Sequence, residues 1–164
     1  MISWLVVIIL AYFFFSLASL GDKLVLARRP NPAVYTFYVG FFSILMFLII
    51  PFINFRFPEL KTLFWIVLEA AVYITGLYTM YAAIKKFDVS KVITTIGATQ
   101  PVFIFALAWL FWGPQIIEQK LIFAFAVLLL GSIIISFEKN IKLTADFLKI
   151  TIFSSLMFSL DYIF

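Results

Sequence analysis

Glu69 stands in the stretch LFWIVLEAAVYITGLYTMYAA, about seven residues inside an apolar run, which places its carboxylate roughly 10 Å below the surface of a bilayer. An ionised side chain at such depth costs roughly 3 kcal/mol on insertion scales, so it needs a proton, a counter-charge or a polar lining. Tyr73, Gly76 and Met80 follow Glu69 at spacings of four, three and four, and that period puts a carboxylate, a phenol and a gap in the side-chain wall on one helix face. The chemistry that fits is a proton site or a contact for a cationic or hydroxylated substrate. The alternative is structural: a glutamate nearer the interface, paired with a lysine. A second polar face runs through Tyr12, Ser16, Ser19 and Lys23, again spaced four, three and four. It could line a cavity, or the serines could pack against a neighbouring helix while Lys23 snorkels to the interface. Asp22 lies beside Lys23 but off this face. A third set, Thr94, Gly97, Ala98 and Pro101, forms a small-residue face. Pro101 removes a helix hydrogen bond there, which allows either close packing or gating. Gln100 lies off that face and its amide needs a helix or water partner.

The residue types also exclude much. The chain has no Cys and no His, hence no disulfide, no thiolate nucleophile, no imidazole base and none of the usual zinc or copper ligands. No cofactor or metal site is implied. An intramembrane aspartyl protease would need two aspartates sharing a proton, but SLGD at Asp22 lacks the leading glycine of that motif. At Asp161 the order LDY reverses the usual pair, so an enzyme is not expected.

These residues must be held by membrane helices. Of 164 residues, 65% are apolar, only 12% are charged and 22 are Phe, too little polar material to cover a soluble surface. The net charge of +4 is small, and the basic residues fall in short clusters between apolar runs, the pattern of bilayer flanks rather than of a nucleic-acid surface. The fold class is therefore all-α, a polytopic helix bundle with five full spans at about 2–25, 33–53, 62–84, 89–112 and 115–136 and the start of a sixth near 147. The first span lacks the basic n-region of a signal peptide and is read as a retained helix.

The connections sort by charge. Lys23, Arg28, Arg29, Lys85, Lys86, Lys91, Lys139, Lys142 and Lys149 lie on one side, and Arg56, Lys61 and Lys120 on the other. By the positive-inside rule the basic side is cytoplasmic and the N-terminus outside. FEKNIKLTAD is the longest polar stretch and reads as a linker. A shift of 143 residues then lays Leu5, Ile9, Phe15, Ser16 and Leu17 on Leu148, Ile152, Phe158, Ser159 and Leu160, with Trp4 on Phe147. Five spans, a linker and a restart of the first span is the order of an inverted-repeat transporter, since five is odd and the second copy enters from the other side. The expected organisation is a five-helix unit at 1–137, a polar linker at 138–146 and, at 147–164, the first helix of a second unit cut short, so that the chain is the first half of a longer protein.

SLGDKLVLARRPNPAVYTFYVG, YAAIKKFDVSKVITTIGATQPVFIFALAWLFWG and QKLIFAFAVLLLGSIIIS resemble the EamA-type half of the drug/metabolite transporter superfamily. The middle stretch, with its hinge at Asp88, Ser90 and Lys91 and its proline at Pro101, is the most specific. The resemblance implies a ten-helix transporter of two inverted halves around a central cavity, working by alternating access. Pro114 stands where many members carry a glutamate, and Glu118 follows only later. The expected function is thus a secondary transporter of the cell membrane with Tyr12, Ser16, Ser19, Lys23, Glu69, Tyr73, Thr94 and Gln100 along the substrate pathway and Gly97 and Pro101 at the kink. Its partners would be the lipid bilayer, a small-molecule substrate and a missing C-terminal half or a second copy. The alternative is a membrane protein that packs against partner helices without transporting.

Overall fold

The computed structural model describes residues 4–28, 30–52, 55, 57–113, 123, 125–127, 130–131 and 144–163. Most of the fifth span expected at 115–136, with Pro114 and Glu118, and most of the expected linker lie outside these residues. Every described element is helical: α1 (Trp4–Ala27), α2 (Pro32–Phe42) continued by a 3-10 segment (Ser43–Phe52), α3 (Leu60–Lys86), α4 (Val89–Trp112) and α5 (Ala145–Asp161). Four of the described helices, Trp4–Ala27, Pro32–Phe52, Leu60–Lys86 and Val89–Trp112, are long and apolar enough to cross a membrane.

Local chemistry sets the helix ends. Asn31 caps α2 by accepting a bond from the Ala33 N–H at 3.0 Å, and Pro32 follows at the first helical position, where its missing N–H costs nothing. The 3-10 continuation differs from the single α-helix expected at 33–53. It begins at Ser43, whose hydroxyl turns back to the Val39 carbonyl at 3.0 Å, and holds Pro51, which cannot donate to the ladder. Tighter winding rises about 2.0 Å per residue, so this segment reaches farther across the membrane than α-helix would. At Phe87 the backbone turns extended (φ −126°) and ends α3. Its N–H still bonds the Ala83 carbonyl at 2.8 Å, and α4 starts two residues later. Gly113, at φ +79°, closes α4 with a backbone that side-chain-bearing residues rarely adopt. Thr144 caps α5 through the Phe147 N–H at 3.3 Å, so that helix begins at Ala145 rather than at 147.

α5 is wedged between α3 and α4. It runs antiparallel to α3: Phe147 meets Phe87 with ring centroids 5.1 Å apart, Ser154 reaches the Gly76 carbonyl at 3.0 Å, and Phe158 meets Tyr73 at 5.9 Å. It runs parallel to α4, with Ser155 against Ile96 and Ser159 against Gln100. The apolar core, Leu26, Leu77, Met80, Tyr81, Ala83, Ile84, Val92, Ile96 and Phe147, lies toward the end where α1 and α3 finish and α4 and α5 begin. That end carries Lys85, Lys86 and Lys91, and is called the basic end below. Over the rest of α1 the side chains from Trp4 to Leu17 are exposed and mostly aliphatic or aromatic, a surface that lipid or further helices can cover. No buried side-chain nitrogen or oxygen among the described residues lacks a hydrogen-bond partner.

Candidate functional site

On α3 the face of Glu69, Tyr73, Gly76 and Met80 turns to α5. A Cβ added at Gly76 would stand 3.1 Å from Cδ1 and Cε1 of Phe158 and 3.4 Å from Cβ of Met157. The gap seen in the sequence is therefore filled by a ring from α5. Tyr73 meets the same ring edge-on, a favoured aromatic geometry. Glu69 is half-buried and close enough for its charge to act on Asp161 of α5, which in turn acts on Tyr73 together with Tyr162. Two carboxylates and two phenols thus gather at the end of the α3–α5 contact away from the basic end. The ion pair found among the described residues is Lys91–Asp88 at 3.2 Å, between exposed or half-exposed side chains, and involves neither carboxylate.

The α1 stripe divides in two. Tyr12 is 70% exposed. Ser16 donates to the Tyr12 carbonyl and Ser19 to the Phe15 carbonyl, both at 2.9 Å, so each hydroxyl spends its proton on its own helix and keeps its lone pairs free. At the foot of the stripe Lys23 joins the bundle. Its ammonium donates to the carbonyls of Ile84 at 2.6 Å and Phe87 at 2.7 Å, across the C-terminus of α3. Beside it the Tyr35 hydroxyl donates to Asp22 at 2.6 Å, and Tyr35 packs edge-on against Tyr81, centroids 4.9 Å apart.

On α4, Thr94 is half-buried, and Gly97 is exposed with open space where a Cβ would go. The Gln100 carbonyl, next to Pro101, accepts from Ser159 at 3.1 Å. Thr99, outside the small-residue face, makes the side-chain bond to α5: its hydroxyl lies 2.9 Å from that of Ser155. The structure therefore sets Tyr73 and the Gln100 carbonyl against α5, with Glu69 within electrostatic reach of it, and joins Lys23 to the end of α3, with Tyr12 and Ser16 on the exposed part of α1.

Sequence reasoning placed a helix near 147 but did not set it between α3 and α4, where it gathers these groups. Thr151, Ser154, Ser155 and Ser159 are fully buried, and four hydroxyls at helical spacing on one apolar helix were the available signal. Asp22 with Tyr35 was missed as well, since thirteen residues separate them and nothing local links them.

A set of long apolar helices with intramembrane polar faces defines a multi-pass membrane protein. Residues 2–137 match the model of the EamA-like transporter family, and the chain belongs to that family. Searches of curated proteins and of solved structures gave no match.

Proposed function

We propose that this protein is a secondary transporter of small molecules that works by alternating access, with its pathway along α1, α3 and α4 and with α5 as its moving wall. The observation that carries this reading is the half-buried Glu69 carboxylate, set beside Tyr73 and within electrostatic reach of Asp161 on a different helix. When both are ionised, these two carboxylates oppose the packing that Gly76 and Ser154 favour across the α3–α5 contact, and a proton or a cationic substrate group between them removes that opposition. Binding and helix packing are coupled in this way. Tyr12, Ser16, Ser19 and Thr94 would supply hydroxyls to the substrate, Gln100 a further polar contact, and Gly97 with Pro101 the bend.

α1 ends at the basic end, whereas α5 begins there. That opposite sense, together with the 143-residue correspondence between them, supports α5 as the first helix of a second, inverted five-helix unit after a unit at 1–137 with five full spans. A complete pathway then needs that second unit, either in the same polypeptide or from a second copy. The cation-rich side faces the cytoplasm of a cell membrane in this reading. The second reading, a non-transporting protein that binds partner helices, rests on the exposed length of α1 from Trp4 to Leu17.

Flux separates the two. In liposomes holding the full-length protein, a panel of labelled amino acids and cationic dyes is driven by a pH gradient. Glu69→Gln abolishes the driven flux or uncouples it from pH, with unchanged insertion. Equal pH-dependent flux in both proteins overturns the role of Glu69, and no flux for any probe with a partner that co-purifies favours the second reading.

A further inference from the structure

The last carbonyls of a helix have no intrahelical donor, and the helix dipole adds partial negative charge at that end. Soluble proteins satisfy such carbonyls with water or a C-terminal glycine. In α3 they are satisfied from another helix: Lys23 of α1 places its ammonium on both Ile84 and Phe87 at 2.6 and 2.7 Å. Three more ties surround it. Tyr35 of α2 donates to Asp22, the neighbour of Lys23, at 2.6 Å, Tyr35 packs edge-on against Tyr81 of α3, and Lys85 of α3 donates to the carbonyl of Pro30 at 3.0 Å. Directly inward lie Leu26, Ile84 and Val92, all almost fully buried.

We infer that Lys23, positioned through Asp22 and Tyr35, is the latch that holds the basic end of the bundle closed, and that its release from the α3 carbonyls opens that end. The inference rests on the alternating-access reading, since only a transporter needs this end to open. Three features suit a latch rather than a permanent clamp. An ammonium is a compact point charge on a flexible stem, so it can leave without strain. The groups it holds are main-chain carbonyls at the membrane interface, where water can replace it on both sides. And the grip ties α1 to the last turn of α3 and to Phe87, the residue with which the connection to α4 begins. Tyr35 fixes the carboxylate beside the lysine, which keeps Asp22 from capturing the ammonium in place of the carbonyls.

The chain contains no cysteine, so a single engineered thiol reports opening. In the full chain in nanodiscs, where both membrane faces are reachable, Val92→Cys is labelled with a water-soluble maleimide. With Lys23 present labelling is slow. Lys23→Met raises its rate at least tenfold, and Tyr35→Phe, which removes only the donor to Asp22, raises it several-fold. Ser154→Cys, buried in the middle of α5, stays slow in both backgrounds. An unchanged rate at Val92→Cys in both variants overturns the latch, and so does an equal rise at Ser154→Cys, which would mean general loosening. If Lys23→Met does not give a monodisperse protein, Tyr35→Phe decides alone. Labelling needs no substrate, so accelerated labelling in a protein that moves no probe and co-purifies with a partner keeps the opening at Lys23 and favours the non-transporting reading, whereas pH-driven flux with unchanged labelling overturns the latch and keeps the transporter.

Discussion

Gly76 offers a graded test of how α5 is held. Replacing it with Ala puts a Cβ 3.1 Å from two ring atoms of Phe158 and 3.4 Å from Met157, so the ring must yield by a few tenths of an ångström. Phe158 is only partly buried and can tilt, and the change also gains about 1 kcal/mol of helix propensity, which leaves Gly76→Ala near neutral. Gly76→Leu adds three more carbons in the direction of the ring. Overpacking of that kind costs roughly 1–3 kcal/mol, and parting the helices also stretches the 3.0 Å bond from Ser154 to the Gly76 carbonyl, a contact of a type worth about 0.6 kcal/mol in membranes. The expected loss is roughly 2–3 kcal/mol. Unfolding in mixed micelles with increasing SDS, followed by circular dichroism, measures it. Adding Phe158→Ala makes room for the leucine, so the double variant recovers part of the loss and is more stable than the two single losses combined would make it. If Gly76→Leu unfolds with Gly76→Ala, or the double variant shows simple additivity, α5 does not sit against Gly76.

Two smaller expectations use the same assay. A double-mutant cycle on Thr99→Ala and Ser155→Ala, whose hydroxyls are 2.9 Å apart, yields a coupling of about 0.6 kcal/mol and below about 1.7, and zero coupling removes that bond from the contact. Lys91→Ala breaks the exposed pair with Asp88 and changes stability by less than about 0.5 kcal/mol, as surface ion pairs do; a loss above about 1 kcal/mol would mean that Lys91 holds more than Asp88.

Hydropathy could place the helices because the bilayer imposes length directly: an expected span at 89–112 is the helix Val89–Trp112, and 62–84 lies inside Leu60–Lys86. It could not say which helix sits in the middle. Lipid is as apolar as leucine, so burial in a membrane protein follows small and hydroxylated side chains that let backbones approach, and these leave almost no mark in a hydropathy profile. For that reason α5, seventeen residues long, could be read as the start of a second unit, but not as the most enclosed of the described helices. The change of α2 to 3-10 winding at Ser43 was equally hidden, since SILMFLII is apolar under either winding. Among candidate site residues, those whose meaning is set by depth were legible: Glu69 stood out because an intramembrane carboxylate is costly wherever it points. Those whose meaning is set by a distant partner were not. Lys23 reads as a snorkelling cation until the end of α3, 61 residues away, is brought beneath it.

The two ends of the described bundle are held by different chemistry. Away from the basic end, α5 meets α3 and α4 through hydroxyl-to-carbonyl bonds and aromatic edges, and beyond them lie the carboxyls of Glu69 and Asp161, which oppose contact when both are ionised. At the basic end an ammonium grips two carbonyls over a packed apolar core. The first kind of contact is weak per bond and sensitive to protonation or to a bound cation; the second is stronger, because a charged donor roughly doubles a hydrogen bond, and does not depend on the state of the carboxylates. A change at Glu69 can therefore reach Lys23 through α3, whose unbroken helix from Leu60 to Lys86 carries both Glu69 and the Ile84 carbonyl, and through α5, whose Phe147 packs on Phe87. A helix that tilts at one end must move its other end, and the carbonyls that Lys23 holds are at that end.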